Sequence, residues 1–407
     1  MNIKSFKIFS YLVYTRIIQF LAPLVIYPFL IKTVGFNNYG EITFWLGLSS
    51  FIANFCSLNM ETYASKEVLF ANSNEEIKRA IIIPTLLKAY VCFVCVIIWM
   101  MASLLFSNNI MTTLLIVFSI HPFLSIAMMP THYFMAKGDF RLQFFSMLIE
   151  KITLIALFFI FIRKEDDYYF IPLITFVSVS LSSSYCVHHL IVMYKMKCFD
   201  FIISWVEFKK YFSVSLFLFL GKLTQLQTNA ARFLVGYFIG YTEAAIYDIC
   251  EKIVNVCKIP MIIINQYFFS KIGNEFKSVM TLFFFHFLTF IFVFFMFYIF
   301  DDIILKYFVG EAISVELTRV YHIMLLILIS VPFVLTFGSS YLVKCGADKL
   351  YGHTLLFCNV ISMSFLLILY ITNSVNIISF TWWVVWAECS FSGACVFFSL
   401  RYMIRRY

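Results

Sequence analysis

One stretch near the middle of the chain decides how the whole sequence is interpreted. Residues 211–239 read YFSVSLFLFLGKLTQLQTNAARFLVGYFI, a mostly apolar run long enough to cross a bilayer. Polar residues and one glycine recur in it at steps of three and four, namely Lys222, Gln225, Asn229, Arg232 and Gly236. At about 100° per residue this spacing places all five on one face of an α-helix. Because cations and amides are costly against hydrocarbon, we expect that face to line a polar interior.

The composition of the whole chain is that of an integral membrane protein. Of the 407 residues, 62% are hydrophobic and only 13% are charged, against about 25% charged in soluble domains. Phe alone accounts for 52 residues, more than a water-soluble protein of this length can bury beneath a polar surface. The net charge of +8 comes from cations scattered between apolar runs. Nucleic-acid binding requires clustered cations on a solvated face, so the pattern argues against it.

The apolar runs predict twelve transmembrane helices and therefore an all-α, polytopic membrane protein. A span needs about 20 predominantly apolar residues. Runs of this kind occupy approximately 9–31, 41–60, 81–106, 111–135, 144–162, 169–194, 211–239, 242–268, 279–300, 317–343, 354–372 and 377–400.

The distribution of cations predicts that both termini are cytoplasmic. With the N-terminus inside, 18 of the 30 Lys and Arg residues fall in cytoplasmic segments, five fall outside and seven fall within spans. Cytoplasmic loops of membrane proteins carry an excess of Lys and Arg, so this asymmetry supports the orientation and the even number of spans.

Two six-helix lobes follow from the span count. We expect an N-terminal lobe over 1–194, a cytoplasmic amphipathic connector over 195–210 and a C-terminal lobe over 211–407. Because six is even, both halves enter the membrane from the same side. A repeat would then be related by a pseudo-two-fold axis along the membrane normal, as in parallel-repeat transporters.

The candidate substrate-binding residues are the polar groups that share helix faces within the membrane. Span seven supplies Lys222, Gln225, Asn229 and Arg232, and span one supplies Arg16 with Gln19 on one face. Cations of this kind suit an anionic, polar ligand. For Arg16, which lies two turns from the cytoplasmic boundary, snorkelling to the interface is an equal alternative.

A second set of intramembrane charges consists of candidates for ion pairing or ion coupling. Asp248, Glu251 and Lys252 lie in span eight, which forms a hairpin with span seven, so Arg232 is expected to pair with Asp248 or Glu251. A structural ion pair is the competing interpretation for Arg232. Glu150 and Lys151 are adjacent in span five and can neutralise each other. Glu388, near the middle of span twelve, must be paired across helices or protonated.

No group of residues suggests covalent chemistry. The His residues do not share metal-ligand spacing with another ligand on one helix, and Cys92 and Cys95 lie in the apolar run VCFVCVIIW. There is no glycine-rich phosphate loop and no nucleophile elbow. We therefore expect no catalytic residues, no metal site and no cofactor, and a protein that is not an enzyme.

Several short motifs resemble those of the polysaccharide flippases of the O-antigen (Wzx) type. These flippases belong to the multidrug/oligosaccharidyl-lipid/polysaccharide exporter (MOP) superfamily. Span seven in that family reads Asn-x-Asp-Arg-x-x-Leu-Gly, and the next span carries Tyr-x-x-Ala-x-Lys-Ile. The corresponding residues here run from Asn229 through Arg232 to Gly236 and from Tyr247 through Lys252 to Ile253. Ala231 departs from the pattern by replacing the acidic residue beside Arg232. Further resemblances lie in PLVIYPFLIKTVGFNNYGEITF, in the stretch after span two and at the end of span four.

The resemblance implies a function, a location and a set of partners. It implies transfer of an undecaprenyl-diphosphate-linked oligosaccharide, as used in O-antigen and lipopolysaccharide biosynthesis, from the cytoplasmic to the periplasmic leaflet by alternating access. The location would be the bacterial inner membrane. The partners implied are this lipid-linked oligosaccharide, membrane lipid, a coupling ion (H⁺ or Na⁺) and, as candidates, a polysaccharide polymerase and a chain-length regulator.

Two other functions remain open on the sequence alone. An O-antigen polymerase or ligase shares this length and composition, but such membrane glycosyltransferases are expected to carry a large external loop. The longest external segment here has about 16 residues, between spans nine and ten. An ion-coupled small-molecule exporter of the same fold is the second alternative. Its pocket should be more apolar or more acidic than the cationic face of span seven.

Overall fold

The structure is a computed structural model, and it describes residues 3–58, 60–106, 110–137, 139–197, 200, 204–222, 226–269, 276–311, 313–342 and 347–404. Within these ranges the regular secondary structure is helical, without a β-strand. The chain packs as two units. Unit 1 comprises Met1–Ile26 and Thr33–Lys222, and unit 2 comprises Tyr27–Lys32 and Leu223–Tyr407.

Unit 1 contains the first nine α-helices, except for the segment Tyr27–Lys32 of the first helix. They are α1 (Ile3–Cys56), α2 (Met60–Phe70), α3 (Asn74–Phe106), α4 (Ile110–Phe118), α5 (His121–Met128), α6 (Thr131–Lys137), α7 (Phe140–Phe161), α8 (Phe170–Tyr194) and α9 (Trp205–Lys222). A short 3-10 helix, Glu165–Tyr169, precedes α8.

Unit 2 contains the remaining helices and one segment of α1. The helices are α10 (Leu226–Phe238), α11 (Tyr241–Phe269), α12 (Phe276–Ile299), α13 (Asp301–Val309), α14 (Val315–Leu325), α15 (Ile327–Phe333), α16 (Asp348–Ile371) and α17 (Ile377–Ile404). A π-helical segment, Val334–Leu342, follows α15 directly. The segment of α1 is Tyr27–Lys32.

Hydropathy agrees with a membrane location for most of these helices. Eight described helical stretches are long and apolar enough to cross a membrane: Val13–Cys56, Asn74–Leu105, Ile110–Met128, Phe140–Phe161, Glu165–Tyr194, Lys277–Ile299, Val315–Leu342 and Ile377–Met403. The first has 44 residues, about 66 Å of helix, which is enough for two crossings of a core of about 30 Å. Leu356–Ile371 is a shorter apolar helix. The all-α membrane fold predicted from the sequence is confirmed.

Three predicted spans lack such a stretch among the described residues: the seventh, the eighth and the eleventh, which corresponds to the shorter Leu356–Ile371. The eighth corresponds to α11, which includes Glu243, Asp248, Glu251, Lys252 and Lys258. The seventh corresponds to α9 and α10 together.

The first two predicted spans meet at Gly35 inside α1. Gly35 has φ 79° and ψ 166°, so the helix is interrupted there by a sharp change of direction. Only glycine adopts a positive φ of this kind without steric cost. Just beyond this point, the side-chain amide of Asn38 donates to the carbonyl of Val34 at 3.1 Å and to Oε1 of Glu165 at 3.3 Å. These bonds tie the turn to the 3-10 helix in the same unit.

The seventh predicted span is not one continuous described helix. Helix α9 ends at Lys222 and α10 begins at Leu226, and residues 223–225 lie outside the described part of the chain. Of the five residues on the predicted face, Asn229, Arg232 and Gly236 lie on α10, and Lys222 is the last described residue of α9.

Helix α9 begins with a capping box and packs in unit 1. The backbone N–H of Glu207 donates to Oγ of Ser204 at 3.3 Å, and the N–H of Ser204 donates to Oε2 of Glu207 at 3.1 Å. Tyr211 is buried beside Leu58 and Leu87. Of the predicted connector, residues 205–210 form the first turns of α9, and Phe199 and Ile202 lie outside the described residues. The predicted lobe bounds of 194 and 211 stay a prediction.

Small residues bring neighbouring helices together in both units, as in other membrane proteins. In unit 1, Oγ of Ser146 on α7 lies 2.7 Å from Oγ of Ser182 on α8. In unit 2, Ala230 and Ala231 on α10 and Ala244 and Ala245 on α11 are buried. Close approach of α10 and α11 places Arg232 within reach of the carboxylates on the facing helix.

Candidate functional site

The charged side chains of unit 2 converge on Arg232, in the middle of α10. Its guanidinium donates to Glu251 on α11, with Nε 2.8 Å from Oε2 and Nη2 3.4 Å from Oε1. Nε also lies 3.3 Å from Oδ1 of Asp248. Both pairings that the sequence suggested between spans seven and eight are present. Because α11 supplies two carboxylates, Arg232 does not depend on an acidic neighbour at position 231.

Asp248 joins a second cation to the same group. It lies one turn before Lys252 on α11, and Oδ2 of Asp248 accepts a hydrogen bond from Nζ of Lys252. The side chain of Asp248 is only 1% exposed. A carboxylate at this depth is stable only when cations and donors surround it, which Arg232 and Lys252 do here.

Tyr27 completes the surroundings of Lys252. The ammonium of Lys252 lies 3.4 Å from the centroid of the Tyr27 ring, at the distance of a cation–π contact. Tyr27 belongs to the segment of α1 that packs in unit 2. The sequence analysis did not select Tyr27, because no pattern in one sequence relates an aromatic residue in span one to a lysine in span eight.

We call Arg232, Asp248, Glu251, Lys252 and Tyr27 the charged network of unit 2. It holds two cations and two carboxylates and so carries no net formal charge. This balance reduces the cost of placing four ionised groups in low-dielectric surroundings. The side chain of Arg232 is 34% exposed, whereas Asp248 is enclosed. An anionic ligand that reached the guanidinium would compete with Glu251 for it.

Two of the predicted pairs lie in unit 1. Nη1 of Arg16 donates to Oε1 of Gln19 at 3.0 Å, so the two residues share a face of α1 as the spacing predicts. On α7, Nζ of Lys151 lies 2.5 Å from Oε1 of Glu150, and both side chains are largely buried. Mutual neutralisation of Glu150 and Lys151, suggested by their adjacency, is observed.

The remaining predicted residues are Glu388, Gln225, Lys222 and Asn229. Glu388 lies half-buried on α17 and forms no hydrogen bond or ion pair with another described residue. Gln225 lies outside the described residues. The side chains of Lys222 and Asn229 also lie outside the described part of the structure. Their roles in binding stay predictions.

One buried cation in unit 1 has an environment that the sequence analysis did not identify. Lys88 on α3 is fully buried, and its Nζ donates to the carbonyl of Met129 at 3.3 Å. Its Nζ also lies 4.0 Å from Oε1 of Glu61 on α2. The signal in the sequence was a lysine two turns inside span three. Its acidic partner comes from α2, which no spacing rule connects to it.

The described residues also bear on metal binding. Among them, no three His, Cys, Asp or Glu side chains gather in a group that could hold a metal ion. Asp248 and Glu251 in unit 2 instead face two cations of the protein itself, Arg232 and Lys252.

Solved structures of transporters share this fold. A multidrug resistance MATE family transporter of the MOP superfamily in an inward-facing conformation superposes with a TM-score of 0.72 at 14% identity, covering 97% of this chain and 98% of that chain. An outward-facing structure of such a transporter gives 0.65 at 14% identity, with 98% and 94% covered. A MOP superfamily transporter from Pyrococcus furiosus gives 0.63 at 14% identity, with 98% and 94% covered. At these identities the likeness establishes the fold, which is that of MOP superfamily transporters.

A family model places the sequence more closely. The model described as polysaccharide biosynthesis protein matches residues 6–269, well over half of the chain, and the chain belongs to this family. The resemblance found in the sequence motifs is thereby confirmed at the level of the family, and the fold agrees with it. No curated protein sequence matches the chain.

Proposed function

We propose that this protein is a flippase for a polyprenyl-diphosphate-linked oligosaccharide, the O-antigen unit implied by the sequence motifs. It carries this lipid from the cytoplasmic to the periplasmic leaflet of the bacterial inner membrane by alternating access. Membership in a polysaccharide biosynthesis family and the fold of MOP superfamily transporters support this proposal. The physical requirement is a polar path, because a diphosphate and its sugars cannot cross hydrocarbon unaided.

The observation that carries the proposal is the pairing of Arg232 with Glu251. A guanidinium is suited to bidentate bonds with carboxylate or phosphate, and Arg232 is partly exposed. Before the substrate binds, Glu251 accepts the hydrogen bonds of the Arg232 guanidinium. Binding of the diphosphate replaces Glu251 on Arg232, and the carboxylate released must then take a proton or another cation. The exchange requires no covalent step.

This exchange also suggests how an ion can be coupled to transport. When Arg232 binds the substrate, Glu251 and Asp248 are the carboxylates that accept a proton or Na⁺. Lys252 keeps Asp248 partly neutralised throughout, because its ammonium is held between Asp248 and the Tyr27 ring. Glu388, Glu150 and Lys151 are further candidates for coupling, and Arg16, Gln19, Lys222, Gln225 and Asn229 for contacts with the substrate.

The test follows the leaflet that holds the lipid-linked oligosaccharide. Spheroplasts of cells lacking the gene are complemented with the wild type, Arg232→Ala, Arg232→Lys or Lys222→Ala, and treated with periodate, which does not cross the membrane. Oxidation of the lipid-linked sugars is expected with the wild type, partial oxidation with Arg232→Lys and protection with the two alanine variants. Full oxidation in cells lacking the gene, or full oxidation with both alanine variants present in the membrane, would contradict the proposal.

A small-molecule exporter is the second candidate, because the similar solved structures include transporters named for multidrug resistance. The same cells distinguish the two. An exporter would leave the surface polysaccharide normal in the deletion strain and raise the accumulation of cationic dyes. A polymerase or ligase would leave the sugars open to periodate but block their assembly into long chains.

A further inference from the structure

A separate cavity in unit 1 lies where α7 begins and α8 ends. Its volume is about 440 Å³, within the range of about 300–1,000 Å³ that small-molecule sites occupy. Seven residues line it, namely Asp139, Arg141, Leu142, Phe145, Tyr185, His189 and Met193. It shares no residue with the charged network of unit 2, and it lies apart from Arg16, Gln19, Glu150 and Lys151 in sequence.

One side of the cavity offers a cation without a counterion. The guanidinium of Arg141 lies 5.8 Å from the centroid of the Phe145 ring. The ion pairs formed by described residues do not include Arg141. A guanidinium held over a ring keeps its N–H donors directed outward, where they suit the oxygens of a phosphate.

The same cavity contains a carboxylate in a fixed position. Oδ1 of Asp139 caps the start of α7 by accepting a hydrogen bond from the backbone N–H of Leu142 at 3.4 Å. A carboxylate accepts several hydrogen bonds, so capping leaves Asp139 able to bind a further donor. The cavity therefore presents one positive and one negative group to any ligand.

His189 adds a polar atom that the protein leaves unsatisfied. Nδ1 of His189 is buried and has no hydrogen-bond partner among the described residues. The ring lies 6.3 Å from that of Tyr185, measured between centroids. Because Nδ1 is buried, another part of the imidazole ring lines the cavity and is the part that a ligand can meet.

The opposite wall of the cavity is apolar and continues onto the surface of the helices. Leu142 is buried, and Met193 is 44% exposed beside the more exposed Val192. Helices α7 and α8 are both apolar enough to cross a membrane, and the cavity lies at one end of each. Lys195 and Lys197 follow directly after α8. A polar and an apolar wall at the end of two spans match the boundary between lipid headgroups and acyl chains.

We propose that this cavity binds the headgroup of a zwitterionic glycerophospholipid that carries a primary ammonium, such as phosphatidylethanolamine. The phosphate binds Arg141 and His189, the ammonium binds Asp139, and the first methylenes of the chains lie on Phe145 and Met193. Asp139 disfavours purely anionic headgroups. A quaternary choline cannot donate to Asp139, and Arg141 already covers the ring of Phe145. The site is independent of the transported lipid proposed above.

Three variants separate the parts of this site. Arg141→Gln removes the phosphate ligand. Asp139→Asn removes the charge that binds the ammonium, while asparagine remains a good N-cap and keeps α7 intact. Lys137→Gln is the matched control, because it removes a cation from the same end of the unit, at a residue that does not line the cavity.

The test is native mass spectrometry of the purified full chain in detergent. Phosphatidylethanolamine, phosphatidylglycerol, phosphatidylcholine and undecaprenyl phosphate are added in turn. The wild type and Lys137→Gln are expected to retain phosphatidylethanolamine best. Arg141→Gln should lower that retention about tenfold, as expected for a lost charge-assisted contact. Asp139→Asn should keep phospholipid binding but lose the preference for phosphatidylethanolamine.

Three results would overturn the proposal. Equal retention of phosphatidylglycerol by the wild type would mean that an anionic group alone is recognised. Stronger retention of undecaprenyl phosphate, lost in Arg141→Gln, would assign the cavity to the transported lipid. Retention by Arg141→Gln and Asp139→Asn that equals the wild type would mean that lipids bind elsewhere.

Discussion

The guanidinium of Arg232 on α10 binds the carboxylate of Glu251 on α11, with Nε 2.8 Å from Oε2. This bond changes the interpretation of span seven from the sequence. Alone, the span presents Arg232 as a cation on a polar face. In the fold, Glu251 on the next helix pairs with the same cation. A ligand can therefore bind the guanidinium of Arg232 only when the hydrogen bonds to Glu251 break. Binding of an anion at Arg232 and loading of Glu251 with a cation are therefore linked.

The first prediction separates a structural role of the Arg232–Glu251 pair from a role in binding. Arg232→Met leaves Glu251 and Asp248 with Lys252 as their remaining cation, so we expect a clear loss of stability. Adding Glu251→Gln removes the unpaired charge and should recover most of the lost stability. The coupling energy between the two substitutions should be about 0.5–3 kcal/mol. Surface polysaccharide should stay absent in the double variant. Thermal unfolding of the purified protein and immunoblotting of the polysaccharide measure the two effects.

The matched control for this pair is an ion pair at the surface. Lys306 and Glu311 lie 2.7 Å apart and are 60% and 86% exposed. Lys306→Met should leave the stability close to that of the wild type, because water screens such pairs. If the double variant at 232 and 251 restored polysaccharide along with stability, Arg232 would have only a structural role.

The fold was largely predictable from the sequence, and the network only in part. Long apolar runs predict membrane helices because backbone hydrogen bonds must close within a span. Adjacency of spans seven and eight predicted the contacts of Arg232 with Asp248 and Glu251. The contact of Tyr27 with Lys252 joins residues more than 200 positions apart, and no periodicity relates them.

The second prediction concerns the contact between Tyr27 and Lys252. Tyr27→Phe keeps the aromatic face and should lower stability less than Tyr27→Leu does. Tyr27→Leu removes the face and should lower stability by about 0.5–2 kcal/mol. In a Lys252→Gln background the two variants should differ much less, because the cation is gone. Thermal unfolding of the four proteins measures this; an equal gap between Phe and Leu in both backgrounds would mean that only packing is involved.

The third prediction is a pH dependence of the start of α9. Hydrogen bonds from Ser204 and the guanidinium of Arg79, 2.5 Å from Oε1, lower the pKa of Glu207 from its ordinary value of 4.5. A carboxylate whose pKa is lowered in the folded state contributes its full stabilisation at pH values above its ordinary pKa. The stabilisation is then lost as the pH falls through the lowered pKa. Glu207→Gln should therefore reduce the unfolding midpoint at pH 7 relative to the wild type, by an amount that shrinks below pH 4.

Glu311→Gln is the control for the loss of a carboxylate, because the side chain of Glu311 is largely exposed at the surface. Its unfolding midpoint at pH 7 should stay close to that of the wild type. A deficit of Glu207→Gln that persisted unchanged at pH 3 would show that the ionised form of Glu207 contributes nothing. In that case the capping hydrogen bonds of the side chain would have to act without the charge.

The fourth prediction compares two helical glycines in unit 2. Gly338 lies in the π-helical segment Val334–Leu342, and a Cβ there would lie 2.8 Å from Cε2 of Tyr351 and 3.0 Å from Sγ of Cys395. Gly338→Ala should cost about 1–3 kcal/mol by overpacking, and adding Tyr351→Leu should recover part of this. Gly393 on α17 has open space around its missing Cβ. Gly393→Ala should instead stabilise the helix by about 0.5–1 kcal/mol. Opposite shifts of the thermal midpoint support close packing at Gly338; a rise in both variants would contradict it.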